Sequence, residues 1–455
     1  MTEIAWARAA ALYLPLMAAV LSGLLTARRS RQFAALLLSF LWAAVTLLAV
    51  QRLNQLEGWW TFPDAGVSLC GMPLELYLGW VILWGVVPQI AVSRLKIGWV
   101  LAIFALVDLI LMPLCNSVVQ LQPAWLLGET LCVGLVLLPA ICLARWTEQG
   151  IHLKARAALQ TVTAGLLLLF VVPEIVFVLR PGDGWTPLLK LPRWQLQLSL
   201  QAVFLLALPG VAAVMEFATR GGGTPIPYDP PKRLVSSGIY RYLANPMQAS
   251  CTLVMVCWAG LLHNGWLVSA AAMSVIYSAG IADWDERRDL RLRFGDQWQE
   301  YRAQVRNWFP RWRPFHTGTP ATLYIAASCS PCSELRQWLE SRNPIGLEIV
   351  DAERLPRGTI RRMRYRPQDG SGSVDEVRAL GRALEHLHLL WAIAGAAMRI
   401  PLIWHGIQLV MDASGLGPRS IPASSCITEG GPPEEGEIPQ GKAAVLVSAS
   451  TPNDR

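Results

Sequence analysis

Charge is scarce in this chain. Asp, Glu, Lys and Arg make up 16% of its 455 residues and hydrophobic residues 53%, with a mean hydropathy of +0.37, which excludes an ordinary soluble domain. The residues behind the net charge of +7 form no basic block interleaved with aromatics, which argues against nucleic acid as a partner. They cluster at the ends of apolar runs, where they orient a membrane protein. The nine cysteines show no disulfide framework, and Cys132, Cys142, Cys251 and Cys257 lie in apolar runs as small buried hydrophobes. No internal repeat is visible, and no cleavable leader either. The run from Trp6 to Ala27 is followed by Arg28, Arg29 and Arg31 in place of a small-residue cleavage site, so it reads as a retained span.

What the chain has in quantity is apolar runs matched to ~30 Å of hydrocarbon. They fall at Trp6–Thr26, Phe33–Val50, Pro73–Val92, Gly98–Leu114, Trp125–Leu143, Ala157–Leu179, Leu198–Ala218, Met247–Leu262 and Gly265–Ile281. The expected fold is therefore mainly α: a polytopic transmembrane helical bundle of about nine spans with a small α/β domain after it. Basic residues concentrate in the odd connections, at Arg94 and Lys96, at Arg145, Lys154 and Arg156, and at Lys232, Arg233 and Arg241. The positive-inside rule places those connections and the C-terminal domain in the cytoplasm. After the ninth run, Trp298, Tyr301, Val305 and Trp308 recur at steps of three and four, the pattern of an amphipathic helix lying in the interface.

The stretch Tyr240 to Ser250, YRYLANPMQAS, puts an Asn-Pro between two apolar runs, just after GGGTPIPYDPPKRLVSSG. Irregular backbone at membrane depth persists only where protein or a ligand covers it, and Pro246 frees nearby carbonyls to meet one. Together with Glu286 and Leu290 ahead of Phe294-Gly295, the aromatics Trp298 and Tyr301, and the ending Val305, Trp308, Pro310, the window from 221 to 314 resembles the isoprenylcysteine carboxyl methyltransferase and phospholipid methyltransferase family. That resemblance implies a membrane enzyme using S-adenosyl-L-methionine. Tyr240, Tyr242, Asn245, Pro246, Met247 and Glu286 become the expected cofactor contacts, Asn245 and Glu286 the expected catalytic residues, and a membrane lipid or lipophilic small molecule the methyl acceptor. The chain departs from the family at Ala244, Gln248, Ser250 and Arg287, where Arg, Tyr, Gly and a second Glu are usual. A dry site suits the reaction, because methyl transfer from a sulfonium disperses or destroys charge.

Further on, TLYIAA, CSPCSELRQWLES and GLEIVDA read as strand, helix and strand, and a long helical stretch is expected from about Val374. A CxxC that opens a helix is a redox arrangement in which Cys329 is the nucleophile and Cys332 its partner. Through LVMDASGLGPR the segment resembles DCC-type thiol-disulfide oxidoreductase domains, which implies a thioredoxin-like fold and a thiol-redox partner, although Ala326-Ala327-Ser328 stands where an upstream Asp is usual. A lone CxxC is also half a zinc site. No second CxxC follows, and His386, His388 and His405 are not at ligand spacing, so no metal is expected. The apolar stretch RIPLIWHGIQLVMDASG is interrupted by Arg399, Pro401 and His405 and reads as soluble-domain helices.

The chain thus divides into an N-terminal multi-span region (1–196), a methyltransferase-like membrane domain with its interfacial helix (197–316), a thioredoxin-like CxxC domain (320–416) and a disordered tail (417–455). Within the spans, Glu75, Asp108, Glu129 and Glu174 are functional candidates, although hydrogen bonding between helices explains them as well. The leading expectation is a methyltransferase fused to a redox domain. Two alternatives stay open: a non-methylating membrane scaffold carrying the redox domain, and an isoprenoid- or carotenoid-modifying membrane enzyme dependent on Asp108.

Overall fold

The computed structural model of the chain describes residues 3–24, 30–63, 66–225, 229–328, 330–355, 363–367, 369 and 372–416. Cys329 and the tail expected to be disordered lie outside the described residues. The apolar runs form helices because in hydrocarbon every backbone polar group must be satisfied within its own segment. They are α1 (Glu3–Leu24), α2 (Ser30–Glu57), α3 (Leu74–Gly85), α4 (Ile97–Leu114), α5 (Trp125–Gln149), α6 (Leu153–Leu179), α7 (Arg193–Gly221), α8 (Pro246–Leu261) and α9 (Gly265–Tyr277).

Six of the helices are long and apolar enough to cross a membrane, or seven if a bent pair near the C-terminus counts as one. The nine-span expectation exceeds this. Leu74–Ile90, Pro246–Leu261 and Gly265–Gly280 are shorter apolar helices. The second has 16 residues, about 24 Å at the α-helical rise, no longer than the apolar run that forms it.

Three spans carry a π-helical turn, Val133–Leu137 in α5, Leu167–Val171 in α6 and Phe217–Gly221 in α7. Proline follows the first two, at Pro139 and Pro173, and a proline cannot donate to the carbonyl four residues before it. Those carbonyls, of Leu135 and Leu169, are taken by neighbouring helices: Trp42 Nε1 donates to the first at 3.0 Å and Trp258 Nε1 to the second at 2.9 Å. Close helix approach rests on glycine. A Cβ on Gly79 of α3 would stand 2.1 Å from the Ala11 carbonyl of α1, and one on Gly210 of α7 would stand 2.8 Å from Ser250 of α8.

The connections gather into two groups. In one, strand β1 (Trp60–Thr61) pairs antiparallel with β4 (Gln120–Leu121), the hairpin β2 (Ser68–Leu69) and β3 (Met72–Pro73) lies between them in sequence, and Asn264 Nδ2 donates to Asp183 at 2.9 Å. In the other, Gln32 Nε2 donates to Glu148 at 3.0 Å and Arg156 forms an ion pair with Asp229. The basic connection that holds Arg156 is in this second group.

Helix α10 (Asp283–Gln304) follows the last apolar helix and is interrupted at Gly295 (φ 50, ψ −125). Its aromatic stripe faces protein. Tyr301 and Val305 are 2% and 0% exposed and pack on Phe315, Leu234 and Ala244, so the interfacial placement expected for this face is corrected. The cause is the returning chain: Ala244 donates to the Arg306 carbonyl at 2.9 Å, Arg311 to that of Tyr242 at 3.0 Å and Phe315 to that of Arg241 at 2.9 Å.

The C-terminal region holds a mixed four-stranded sheet of order β6-β5-β7-β8. Strand β5 (Ala321–Ile325) leads into α11 (Ser330–Glu340), and β6 (Leu347–Asp351) returns parallel to β5. Then β7 (Met363–Arg366) runs antiparallel to β5, and β8 (Val374–Asp375) antiparallel to β7. The strand–helix–strand expectation matches this order, whereas Val374 belongs to a short edge strand and helix begins only after it. Three helices follow, α12 (Glu376–Leu384), α13 (Leu389–Ala397) and α14 (Pro401–Met411).

Candidate functional site

The stretch from Tyr240 to Met247 closes a 3-10 turn, Gly238–Arg241, and opens α8. Tyr240, Tyr242, Asn245, Pro246 and Met247 all lie in this short stretch. The two tyrosines, however, face protein. Tyr242 is fully buried and its hydroxyl donates to the Glu385 carbonyl at 2.9 Å; burial and the Glu385 charge hold its ionisation above the ordinary tyrosine range. Tyr240 is buried against Ala212, Ala213 and Ala396, and its carbonyl accepts from Tyr301 at 2.9 Å. Asn245 Nδ2 donates to Gln248 at 3.0 Å, and Ser278 bonds the same Gln248 oxygen. Pro246 occupies the first helical turn, and Met247 packs beside Tyr240. The Glu286 side chain lies outside the described residues. A cavity of about 580 Å³ opens elsewhere, lined by His152, Leu153, Lys154, Ala155, Ala218 and Thr219.

What covers the Tyr240–Met247 stretch is the chain's own C-terminal domain, through a buried ionic lattice that the sequence did not announce. Glu216, in α7 and 1% exposed, accepts from Arg382 Nη1 at 2.7 Å and from Ser237 Oγ at 2.6 Å, with Arg220 at 3.3 Å and Arg399 at 3.3 Å. Glu385, 2% exposed, meets Arg382 at 3.2 Å and bonds Arg399 as well. Two carboxylates thus share two guanidiniums, each bridging both acids. Burial alone would disfavour the Arg382 cation, yet Glu216 and Glu385 outweigh it and raise its proton affinity. Gly238 (φ +61) backs onto this lattice, and a Cβ there would stand 3.0 Å from the Glu216 carboxyl carbon.

Beside the lattice, His386 is fully buried. Its Nδ1 lies 2.8 Å from the Ile345 carbonyl, which assigns the proton to Nδ1, and its Nε2 then accepts from the Tyr365 hydroxyl at 3.0 Å. Burial, and then the Arg241 guanidinium 3.5 Å from the ring, hold its pKa well below the usual histidine value.

Of the two cysteines expected to form a redox pair, Cys332 is buried in the core of the C-terminal sheet with Leu323, Ile325 and Leu339. The loop that leads to Cys329 is held by Glu353, at the end of β6. Its carboxylate accepts from Ala327 N at 3.1 Å and from both Ser328 N and Ser328 Oγ at 2.9 Å. Burial opposes ionisation of Glu353, but those donors prevail and lower its pKa.

Three of the acidic candidates in the N-terminal spans have hydrogen-bond or ion-pair partners. Glu75 pairs with Arg8 at 3.1 Å, and Glu174 accepts from Trp185 Nε1 at 2.7 Å. Asp108 accepts from Trp84 Nε1 at 3.2 Å, and Glu129 is buried at 6% exposure.

Sequence reasoning passed over Glu216, Arg382, Glu385 and Glu353, and weighed His386 only as a metal ligand. The available signal was a carboxylate at the end of a span together with an Arg-x-x-Glu pair on one helical face. Compared with protein-family models, curated proteins and solved structures, the chain matches none of them.

Proposed function

We propose that the protein is a multi-pass membrane protein whose C-terminal domain carries out thiol–disulfide exchange at Cys329 and Cys332 while docked on the membrane region. The observation that carries this reading is the order β6-β5-β7-β8, with one parallel and two antiparallel pairings and the CSPC run at the junction of β5 and α11. A thioredoxin-like domain would have this order and these pairings, which supports the reading. In the exchange, the Cys329 thiolate attacks a partner disulfide and releases one partner thiolate. Cys332 then attacks the mixed disulfide, so the domain is oxidised as the partner is reduced by two electrons. Basic residues in the connections on the domain's side favour a cytoplasmic placement. The test is trapping in the full chain. Cys332→Ser should accumulate a mixed disulfide at Cys329 with a small-molecule disulfide probe, and Cys329→Ser should not. Equal labelling of both variants would sink the proposal.

A second reading, transfer of a methyl group from S-adenosyl-L-methionine to a lipophilic acceptor, is favoured by the way the 221–314 segment assembles as one unit through the Ala244–Arg306, Tyr242–Arg311 and Tyr240–Tyr301 bonds. The engaged tyrosines do not fit the cofactor as open contacts. Asn245 is the residue left to test, beside Glu286. Saturable calorimetric binding of the cofactor, weakened by Asn245→Ala or Glu286→Gln, is the expected result of this reading, and its absence in folded protein would remove it.

A further inference from the structure

We propose that α13 and α14 form an elbow seated in the bilayer, with α14 lying along the membrane surface and Leu402, Leu409 and Val410 in the boundary between headgroups and acyl chains. The occupant of that face is lipid. Four observations lead there, and none depends on the redox reading.

First, α13 lies against a span. Leu389, Ile393 and Ala396 pack with Ala212 and Ala213 of α7 and with Met247 in the first turn of α8. Ala212 and Ala213 are inside the candidate span Arg193–Gly221, so α13 stands at the depth of that span's last turns, and its Leu390, 60% exposed, borders the same surroundings as the span's outer face.

Second, α13 and α14 together are apolar enough to count as a span, yet they meet at 84°. A pair bent that sharply enters a bilayer and turns rather than crossing it. Third, α14 has no buried residue. Its Ile403, Trp404 and Ile407 are half-buried on the protein side, where Arg378 of α12 lies 4.8 Å over the Trp404 ring. On the other side Leu402, Leu409 and Val410 are 87%, 70% and 64% exposed. Their spacing of seven and eight residues aligns them on one face, the arrangement of a helix resting in an interface.

Fourth, the cation at the bend is hidden from lipid. Arg399 points inward to Glu216 and Glu385, so its charge is compensated where the chain turns. A second copy of the protein would need a partner surface reaching below the level of the domain, whereas lipid already surrounds the adjoining span.

The test uses the full-length protein in vesicles of phosphatidylcholine and phosphatidylglycerol, with the photocrosslinker benzoylphenylalanine placed at Leu402 or at Leu409. Leu205, 60% exposed on α7, is the lipid-facing reference, and Glu348, exposed on β6, the water-facing one. The expected result is a phospholipid adduct by mass spectrometry at Leu402 and Leu409, at a yield within about threefold of Leu205, and none at Glu348. An adduct at Leu205 with none at Leu402 and Leu409 would overturn the proposal. So would a crosslink from Leu409 to a second copy of the chain.

Discussion

Glu216 sets the energetic terms at the scale of single residues. Its carboxylate is 1% exposed and surrounded by guanidiniums, so removing its charge leaves Arg382 and Arg399 buried without full compensation. Glu216→Gln should destabilise the protein by about 3–5 kcal/mol, the usual cost of breaking a buried pair from one side; a thermal-shift measurement in detergent would show it, and an unchanged midpoint would contradict it. His386 gives a pH dependence of definite sign. The unfolded imidazole takes up a proton near pH ~6.5, whereas the folded one, facing Arg241, Arg382, His316 and Tyr365, resists it. Stability is therefore complete above that pH and falls as the solution becomes more acid. Melting between pH 7.5 and about pH 5.5 should show the decline, and His386→Asn should flatten it. These residues were poorly legible in the sequence. A Glu at the end of an apolar run looks like an interfacial residue, and only the fold brings Arg382 and Arg399, 166 and 183 residues away, to its side. Arg399 and Pro401 did stand out as interruptions, but their meaning depends on what they face.

At the scale of elements, the helices were legible because apolar length is a local property. Strands β5 and β6 were legible too, since TLYIA and LEIVD alternate or cluster apolar residues beside a helix opened by Ser-Pro. The two-residue strand β8 was not: its pairing comes from β7, and two residues carry no periodicity. The number of spans was overread because short apolar runs were counted as spans, although the helices Leu74–Ile90, Pro246–Leu261 and Gly265–Gly280 fall short of the hydrocarbon thickness. The π turns were also hidden, although those in α5 and α6 are each followed by a proline, and the carbonyl four residues before it is claimed by a tryptophan from another helix. Trp258→Phe keeps the ring and removes the donor to Leu169. It should cost about 1–3 kcal/mol, the penalty of an unsatisfied buried carbonyl, and hydrogen exchange should rise in the second half of α6. If exchange is unchanged, the indole does not hold that turn. Gly79→Val tests the close approach of α1 and α3: a side chain cannot share 2.1 Å with the Ala11 carbonyl, so the helices must separate, with a loss of about 1–3 kcal/mol read from the detergent melting midpoint.

On the scale of the whole molecule, the membrane region and the C-terminal sheet are joined by buried contacts rather than by a solvated linker. Tyr242 to Glu385, Arg241 to His386 and the Glu216 lattice all cross between them. Buried ion pairs are screened far less than surface ones, so docking should be insensitive to salt. Hydrogen exchange of α12 amides between about 0.1 M and 1 M sodium chloride, a range over which the Debye length shrinks from about 10 Å to 3 Å, should be unchanged, whereas Glu216→Gln should accelerate it at both concentrations. A strong salt effect in the unaltered protein would show the junction to be open to water.

The distance along the chain between the partners of that lattice also fixes an order of events during synthesis. Glu216 leaves the ribosome 183 residues before Arg399, which at ordinary elongation rates is roughly 10 to 40 s. Until Arg382 emerges, 166 residues after Glu216, Arg220 and Ser237 are the only described lattice partners yet made. Membrane insertion of α7 therefore precedes full neutralisation of its acidic end, and the C-terminal domain completes a junction that the earlier part of the chain has already prepared.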